Sequence, residues 1–345
     1  NVHSMLCDNR YGDDYRGGLD SSRDTEDEVE AIVRFFPDIL SRKTEDNDII
    51  DWQDGDYFIY PIQFMTRMLT IDGYHCNLMA VSFIHLLARL AIEFGSFEDH
   101  ERGGLLVGDD IFDNILQSLF RTSASRHGEE HSPLVDNGCL MQLVQLRGMG
   151  LLKMEDISDH NLLHIVCSYR HFYAERRFRF LVQWVPTSLL QINEDRYSQS
   201  GGRLPLDCAT VFASTIEGFQ IVFEYMIRYY PNKIGINLLF ANYNNRVPFQ
   251  IACRIHGRDE VLKVVEEILT RYHSEGTPLN IDEALITAAT DENIHLDCTY
   301  FLLRRKPDVL VRLLSGPYNN DDDDDDDGGG GSDGGGNYND GNDVD

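Results

Sequence analysis

The sequence predicts an all-α chain built as a helical-repeat solenoid, and two observations predict it. Three apolar segments repeat one pattern: Leu162-Leu163-His164-Ile165-Val166-Cys167, Pro205-Leu206-Asp207-Cys208-Ala209-Thr210 and Pro248-Phe249-Gln250-Ile251-Ala252-Cys253. His164, Asp207 and Gln250 follow one another at intervals of 43 residues. A fixed period of this size marks units that complete their core only against their neighbours. Each segment is also followed by a second apolar-periodic stretch that stops at a proline or a polar breaker. The unit therefore reads as turn, short inner helix, outer helix and long connector.

Residues 1–24 mix Gly, Asp, Arg and Ser without periodicity and are expected to form a disordered acidic segment. Thr25 and Glu28 then offer a capping box ahead of Val29, Ile32, Val33 and Phe36, an amphipathic helix stopped by Pro37. Pro61-Ile62-Gln63-Phe64-Met65 followed by Leu78–Ile92 fits the same unit, and Ile115–Leu119 followed by Leu140–Leu152 fits it more loosely. Downstream, Phe178, Leu181, Val182 and Val185 precede Pro186. Phe219, Val222, Phe223, Met226 and Tyr230 precede Pro231. Val261, Val264, Val265, Ile268 and Leu269 run into His273-Ser274-Glu275-Gly276, and an inner helix at Ala284–Ala289 leads to Phe301 and Leu302 before Pro307. This makes about six units over residues 25–317, clearest over 157–315, with degenerate ends because a terminal unit must present one polar face. Residues 318–345 are an Asp/Gly-rich tail that cannot bury a core and is expected to be disordered.

Charge is unevenly placed. Of the formal net −28, residues 321–345 carry −11 and residues 1–60 carry −10, which leaves −7 for the 260 residues between. Such a field disfavours nucleic acid and anionic membrane, whose recognition needs clustered Lys and Arg. A basic protein suits it better. The seven cysteines are odd in number, widely spread and lack any C-x-x-C pair. Three of them sit in the repeated apolar motif, where a small thiol packs well. That pattern points to a reducing compartment, cytoplasm or nucleus. No signal peptide is visible and the chain begins at Asn1. The longest apolar run, Leu78–Ile92, is interrupted by His85 and Arg89 and is too short to span a bilayer.

The repeated motif resembles the ankyrin repeat, whose inner helix opens with Thr-Pro-Leu-His-x-Ala. Leu204-Pro205-Leu206-Asp207-Cys208-Ala209 and Val247-Pro248-Phe249-Gln250-Ile251-Ala252 keep the proline, the large apolar residue and the alanine. Leu162-Leu163-His164 keeps the leucine and the histidine. The resemblance implies ankyrin-like helix pairs with long connectors and a protein-binding role, and gives His164 a structural, turn-bracing place. Two departures stand out. The period of 43 exceeds the roughly 33 of the family, and the motif threonine is absent. HEAT-type repeats, with periods of roughly 40–47, are the structural alternative.

Catalytic and metal-binding patterns compete poorly with these helices. His127-Gly128-Glu129-Glu130-His131 matches H-x-x-E-H, in which His127 and His131 would hold zinc and Glu130 would act as base. Gly128 and Pro133 argue instead for a solvated loop, so a zinc hydrolase is the remote alternative. Gly328–Asp333 begins a calcium nonapeptide only once, with Gly335 where an apolar residue is needed. No catalytic, cofactor-binding or metal residue is assigned, and the chain is expected not to be an enzyme.

The expected function is a protein–protein interaction scaffold that holds its partner on the repeat surface and connector tips. Trp, Tyr and Arg most often dominate such interfaces. The candidates are Trp52 and Tyr57 in the first connector, Arg196 and Tyr197 in the next clear one, and Tyr243 and Arg246 in the third. The second expectation is a polyanionic carrier for a basic protein acting through the acidic tail.

Overall fold

The computed structural model describes residues 2–7, 18–45, 58–66, 68–70, 73–75, 79–108, 113–121, 133–168, 174–193, 202–212, 215–231, 233–242, 246–274, 281–292, 294–308 and 311. Helices dominate. In chain order they are α1 (Val2–Cys7), α2 (Glu26–Phe35), α3 (Pro61–Phe64), α4 (Ile84–Glu93), α5 (Ile115–Phe120), α6 (Pro133–Gly148), α7 (Met154–Asp159) and α8 (Leu162–Cys167). They continue as α9 (Glu175–Trp184), α10 (Pro205–Phe212), α11 (Ile216–Tyr229), α12 (Lys233–Phe240), α13 (Pro248–His256), α14 (Arg258–Ser274), α15 (Ile281–Thr290) and α16 (Leu296–Arg305). Two short antiparallel strand pairs, absent from the all-α expectation, join β1 (Thr44–Glu45) to β2 (Phe58–Ile59) and β3 (Met68–Thr70) to β4 (Gly73–His75). In the first pair Thr44 lies opposite Ile59 and Glu45 opposite Phe58.

Short helices α5, α8, α10 and α13 form one row, each packed on the next. Longer helices back them: α9 packs on α8, α11 on α10 and α14 on α13. The backing helices also meet each other, α4 with α6, α6 with α9, and α11 with α14. Beyond α13 the succession passes through α12 to α15 and α16. One apolar cluster runs from Leu6 to Leu302. Helix α11 shows how a backing helix enters it. Phe219, Val222, Phe223 and Met226 recur at three- and four-residue spacing and are fully buried, and each contributes about 1.5–3 kcal/mol of transfer free energy.

Local chemistry places the ends of these helices. Thr25 accepts from the Glu28 amide at 3.3 Å while the Glu28 carboxylate accepts from the Thr25 amide at 3.1 Å, closing the capping box read from the sequence. Gly257 separates α13 from α14 with φ +88°, a conformation that side chains with a Cβ rarely adopt.

Three expectations are corrected. The 1–24 segment is ordered at both described ends: α1 packs on α3, and Leu6 and Leu19 are buried. A six-residue apolar turn, Val2–Cys7, is too short to register as periodicity, so composition alone masked it. Phe36, counted on the buried stripe of α2, is 55% exposed, because Pro37 turns the chain before that face meets the core. Helix α6 starts at Pro133 rather than near Leu140. The proline opens the helix, where its missing amide hydrogen costs nothing.

Candidate interaction surface

The third residue of α3 and of each short helix in the row is polar, and in most units it ties that helix to the next unit. In α3 and α5 this is Gln63 and Gln117. Each glutamine carbonyl accepts from the amide at its own helix start, Tyr60 at 2.9 Å and Asn114 at 3.0 Å. Each glutamine NH2 donates forward, Gln63 to the Val107 carbonyl 44 residues on and Gln117 to the His160 carbonyl 43 residues on. His164 holds the same place in α8, where its Nε2–H donates to the carbonyls of Gln191 and Arg203, both at 3.0 Å. Two carbonyl acceptors on one nitrogen fix the tautomer. Burial holds this imidazole down at a pKa of about 4, against the opposing pull of those two carbonyls.

Asp207 and Gln250 continue the series in α10 and α13. Asp207 accepts from the Leu204 amide at 3.1 Å. The brace that the missing motif threonine would give this turn is thus supplied from three residues inside the helix. Burial raises the Asp207 carboxyl to about 6, offset in part by the Leu204 amide and by the charges of Arg203 and Arg246. Gln250 donates to His295 Nδ1 at 3.3 Å and to Asp297 at 3.2 Å.

The His164 bonds sit at the root of one connector, since Gln191 and Arg203 flank residues 194–201. The connector 46–57 emerges between β1 and β2. The connector beyond Asn193 is closed where the Asn193 amide donates to the Arg203 carbonyl at 3.0 Å and the Arg203 amide donates to the Asn193 side chain at 2.6 Å. Of the predicted partner-binding residues, Trp52, Tyr57, Arg196, Tyr197 and Tyr243 lie outside the described residues, as do His127, Glu130 and His131 and the tail 318–345. Arg246 is described: half-buried, it acts electrostatically on Asp207 of the preceding unit.

Sequence reasoning missed the polar atoms gathered around α10. The Arg203 guanidinium lies 5.1 Å from the centroid of the Phe212 ring, a cation–π arrangement. Its Nε and Nη1 and Asp207 Oδ1 are buried without a hydrogen-bond partner. Phe212, Val211 and, on the adjoining α13, Ile255 are exposed. The sequence signal was a charged residue directly before the Leu-Pro-Leu helix start.

The thiols behave as core groups. Cys167 and Cys298 are fully buried, and burial pushes Cys298 up to about 12 and Cys167 well above the usual range. Cys253, expected to match Cys167, is only partly buried. Among the described residues no cluster of three His, Cys, Asp or Glu is arranged to hold a metal ion, and no helix is long and apolar enough to cross a membrane. No protein-family model matches the chain, nor does any curated protein or solved structure.

Proposed function

We propose that the chain is a non-enzymatic scaffold for protein–protein interaction, an α-solenoid of divergent ankyrin-like units that holds a partner on its short-helix row and connectors. The observation that carries this reading is the forward reach of successive third-position side chains. Gln63, Gln117, His164 and Gln250 bond to groups 44, 43, 39 and 45 residues ahead. The bonds tie successive units together, and those of His164 to Gln191 and Arg203 fix both ends of the connector 194–201 to the preceding unit. Side chains carried on a connector fixed in this way lose less conformational freedom on binding. The resemblance of the helix starts to the ankyrin motif supports the same reading.

The test is affinity capture from a cell extract by three full-length proteins, at low and at high salt. They are the wild type, a variant with Tyr243 and Arg246 changed to Ala, and a variant with Asp321–Asp327 changed to Asn. The scaffold reading expects the same few proteins with wild type and the tail variant at high salt, and their loss from the Tyr243/Arg246 variant. Capture that disappears with the tail charges or with salt assigns the activity to the polyanionic tail instead.

A further inference from the structure

Helix α6, of 16 residues, lies between α4 and α9. Its solvent-facing positions include 137, 141, 144 and 148, alternating four and three residues apart on one stripe. Met141 is 53% and Val144 47% exposed, with Asn137 and Gly148 on either side. The single acid of this helix, Asp136, is buried. The stripe is therefore uncharged up to Arg147, on a chain of net charge −28.

Helix α9 supplies the second edge. Near its start Arg176 donates to the Asn137 side chain at 3.0 Å, and near its end Trp184 lies under the Arg147 guanidinium, 4.2 Å from the ring centroid. These two contacts make α6 and α9 run in the same direction, with an arginine at each end of their seam. Arg177 is buried on Asp136 and Arg179 pairs with Glu175. The guanidiniums of Arg147 and Arg176, by contrast, pair with no acid among the described residues, although the Arg176 backbone amide donates to Asp136 at 3.0 Å and acids outnumber bases 58 to 30 in the chain.

An exposed apolar stripe bounded by two uncompensated guanidiniums fits an occupant that is apolar on one side and negative at its flanks. We infer that the α6–α9 face is a docking site for an acidic amphipathic helix of a partner protein. The inference rests on the scaffold reading above and adds to the short-helix row a second surface, on the backing helices, with a stated partner chemistry. A facing helix of about 16 residues, roughly 24 Å, matches the length of α6. It would set apolar residues at i, i+3 or i+4 and i+7 against Met141 and Val144. Its carboxylates would meet Arg147 and Arg176, where charge-assisted bonds to guanidinium are strong and directional. Over such short distances the local arginines outweigh the distant acids, which salt screens beyond about 8 Å.

Trp184 is a built-in reporter, read in a full-length Trp52→Phe background. The probe is a helix-forming peptide with leucines at that spacing and glutamates elsewhere, beside a twin with lysines for glutamates. The expected result is a saturable change in Trp184 emission with the acidic peptide and none with the lysine twin. Affinity should fall at least about ten-fold in Met141→Glu and in Arg147→Gln, with unchanged circular dichroism melting confirming that both fold. Equal response to the two peptides, undiminished affinity in Met141→Glu, or no response overturns the inference. So does vesicle binding, to mixed phosphatidylserine and phosphatidylcholine, that Met141→Glu abolishes, since it gives the face to a lipid surface. A wild-type mass that rises with concentration and stays monomeric in Met141→Glu gives the face to a second copy and overturns it too. Extract capture separates the two levels: partners retained by Met141→Glu refute this face and leave the scaffold reading standing, whereas no capture by wild type refutes the scaffold reading itself.

Discussion

His164 and Asp207 occupy the third position of two helices that begin 43 residues apart, and they bond in opposite senses. His164 donates forward to Gln191 and Arg203, whereas Asp207 accepts from Leu204 in its own turn. Arg203 stands between them: its carbonyl receives His164 and its charge acts on Asp207.

The pair gives opposing pH dependences. The folded chain holds Asp207 at about 6 against 3.8 for the free group, so it binds more protons than the unfolded chain between about pH 4 and 6. From this group stability is fullest below that window and falls as pH rises through it. His164, at about 4 against 6.5, does the reverse: the unfolded chain takes up the proton, and stability rises with pH from about 4 to 6.5. Asp207→Asn should therefore gain on wild type by about 1 kcal/mol between pH 5 and 7, and His164→Gln should lose by about 1–2 kcal/mol. Urea unfolding at the two pH values checks both signs.

Arg177 is fully buried in α9, its Nε donating to Asp136 of α6 at 2.7 Å and its Nη1 to the Leu119 carbonyl of α5. Asp136→Ala leaves a buried guanidinium without its counter-charge and should cost about 3–5 kcal/mol. Replacing both residues by leucine and methionine should recover much of that loss, because the desolvation of two charges is removed together. Denaturant midpoints of the single and double variants decide it.

Ala252 is fully buried in α13, where that helix meets α10. Ala252→Leu should overpack this seam and destabilise by about 1–3 kcal/mol. An unchanged melting temperature would place Ala252 outside it.

Gly257 has φ +88° and ψ 141° between α13 and α14. Nothing lies within 4 Å of where a Cβ would sit, so the cost of Gly257→Ala is backbone strain alone. A loss of about 1–3 kcal/mol is expected in thermal unfolding.

Much of the helical plan was legible because burial imposes a three-to-four-residue rhythm. Phe178, Leu181 and Val182 on α9 and Phe219, Val222 and Phe223 on α11 were readable for that reason, and all are buried. The polar third position was legible too: the spacing of His164, Asp207 and Gln250 located it before any bond was seen. What each residue bonds to was not, because the forward partners lie 39 or more residues away in several units, as Arg203 does from His164. The start of α6 was hidden by Ser132-Pro133, since a proline that ends one helix and one that begins the next look alike. The α6–α9 face was hidden for another reason. Met141 and Val144 read as core by composition, and only the packing of α6 leaves them in solvent.

The central claim is that the repeat surface, rather than the acidic tail, holds a partner. Hydrogen exchange of the full chain, alone and with a protein it captures, tests this most directly. Slowed exchange is predicted in the connectors 46–57, 194–201 and 243–246 and in α10 and α13, with residues 318–345 unchanged. Protection confined to 318–345, with the helices and connectors exchanging as in the free chain, would contradict the claim.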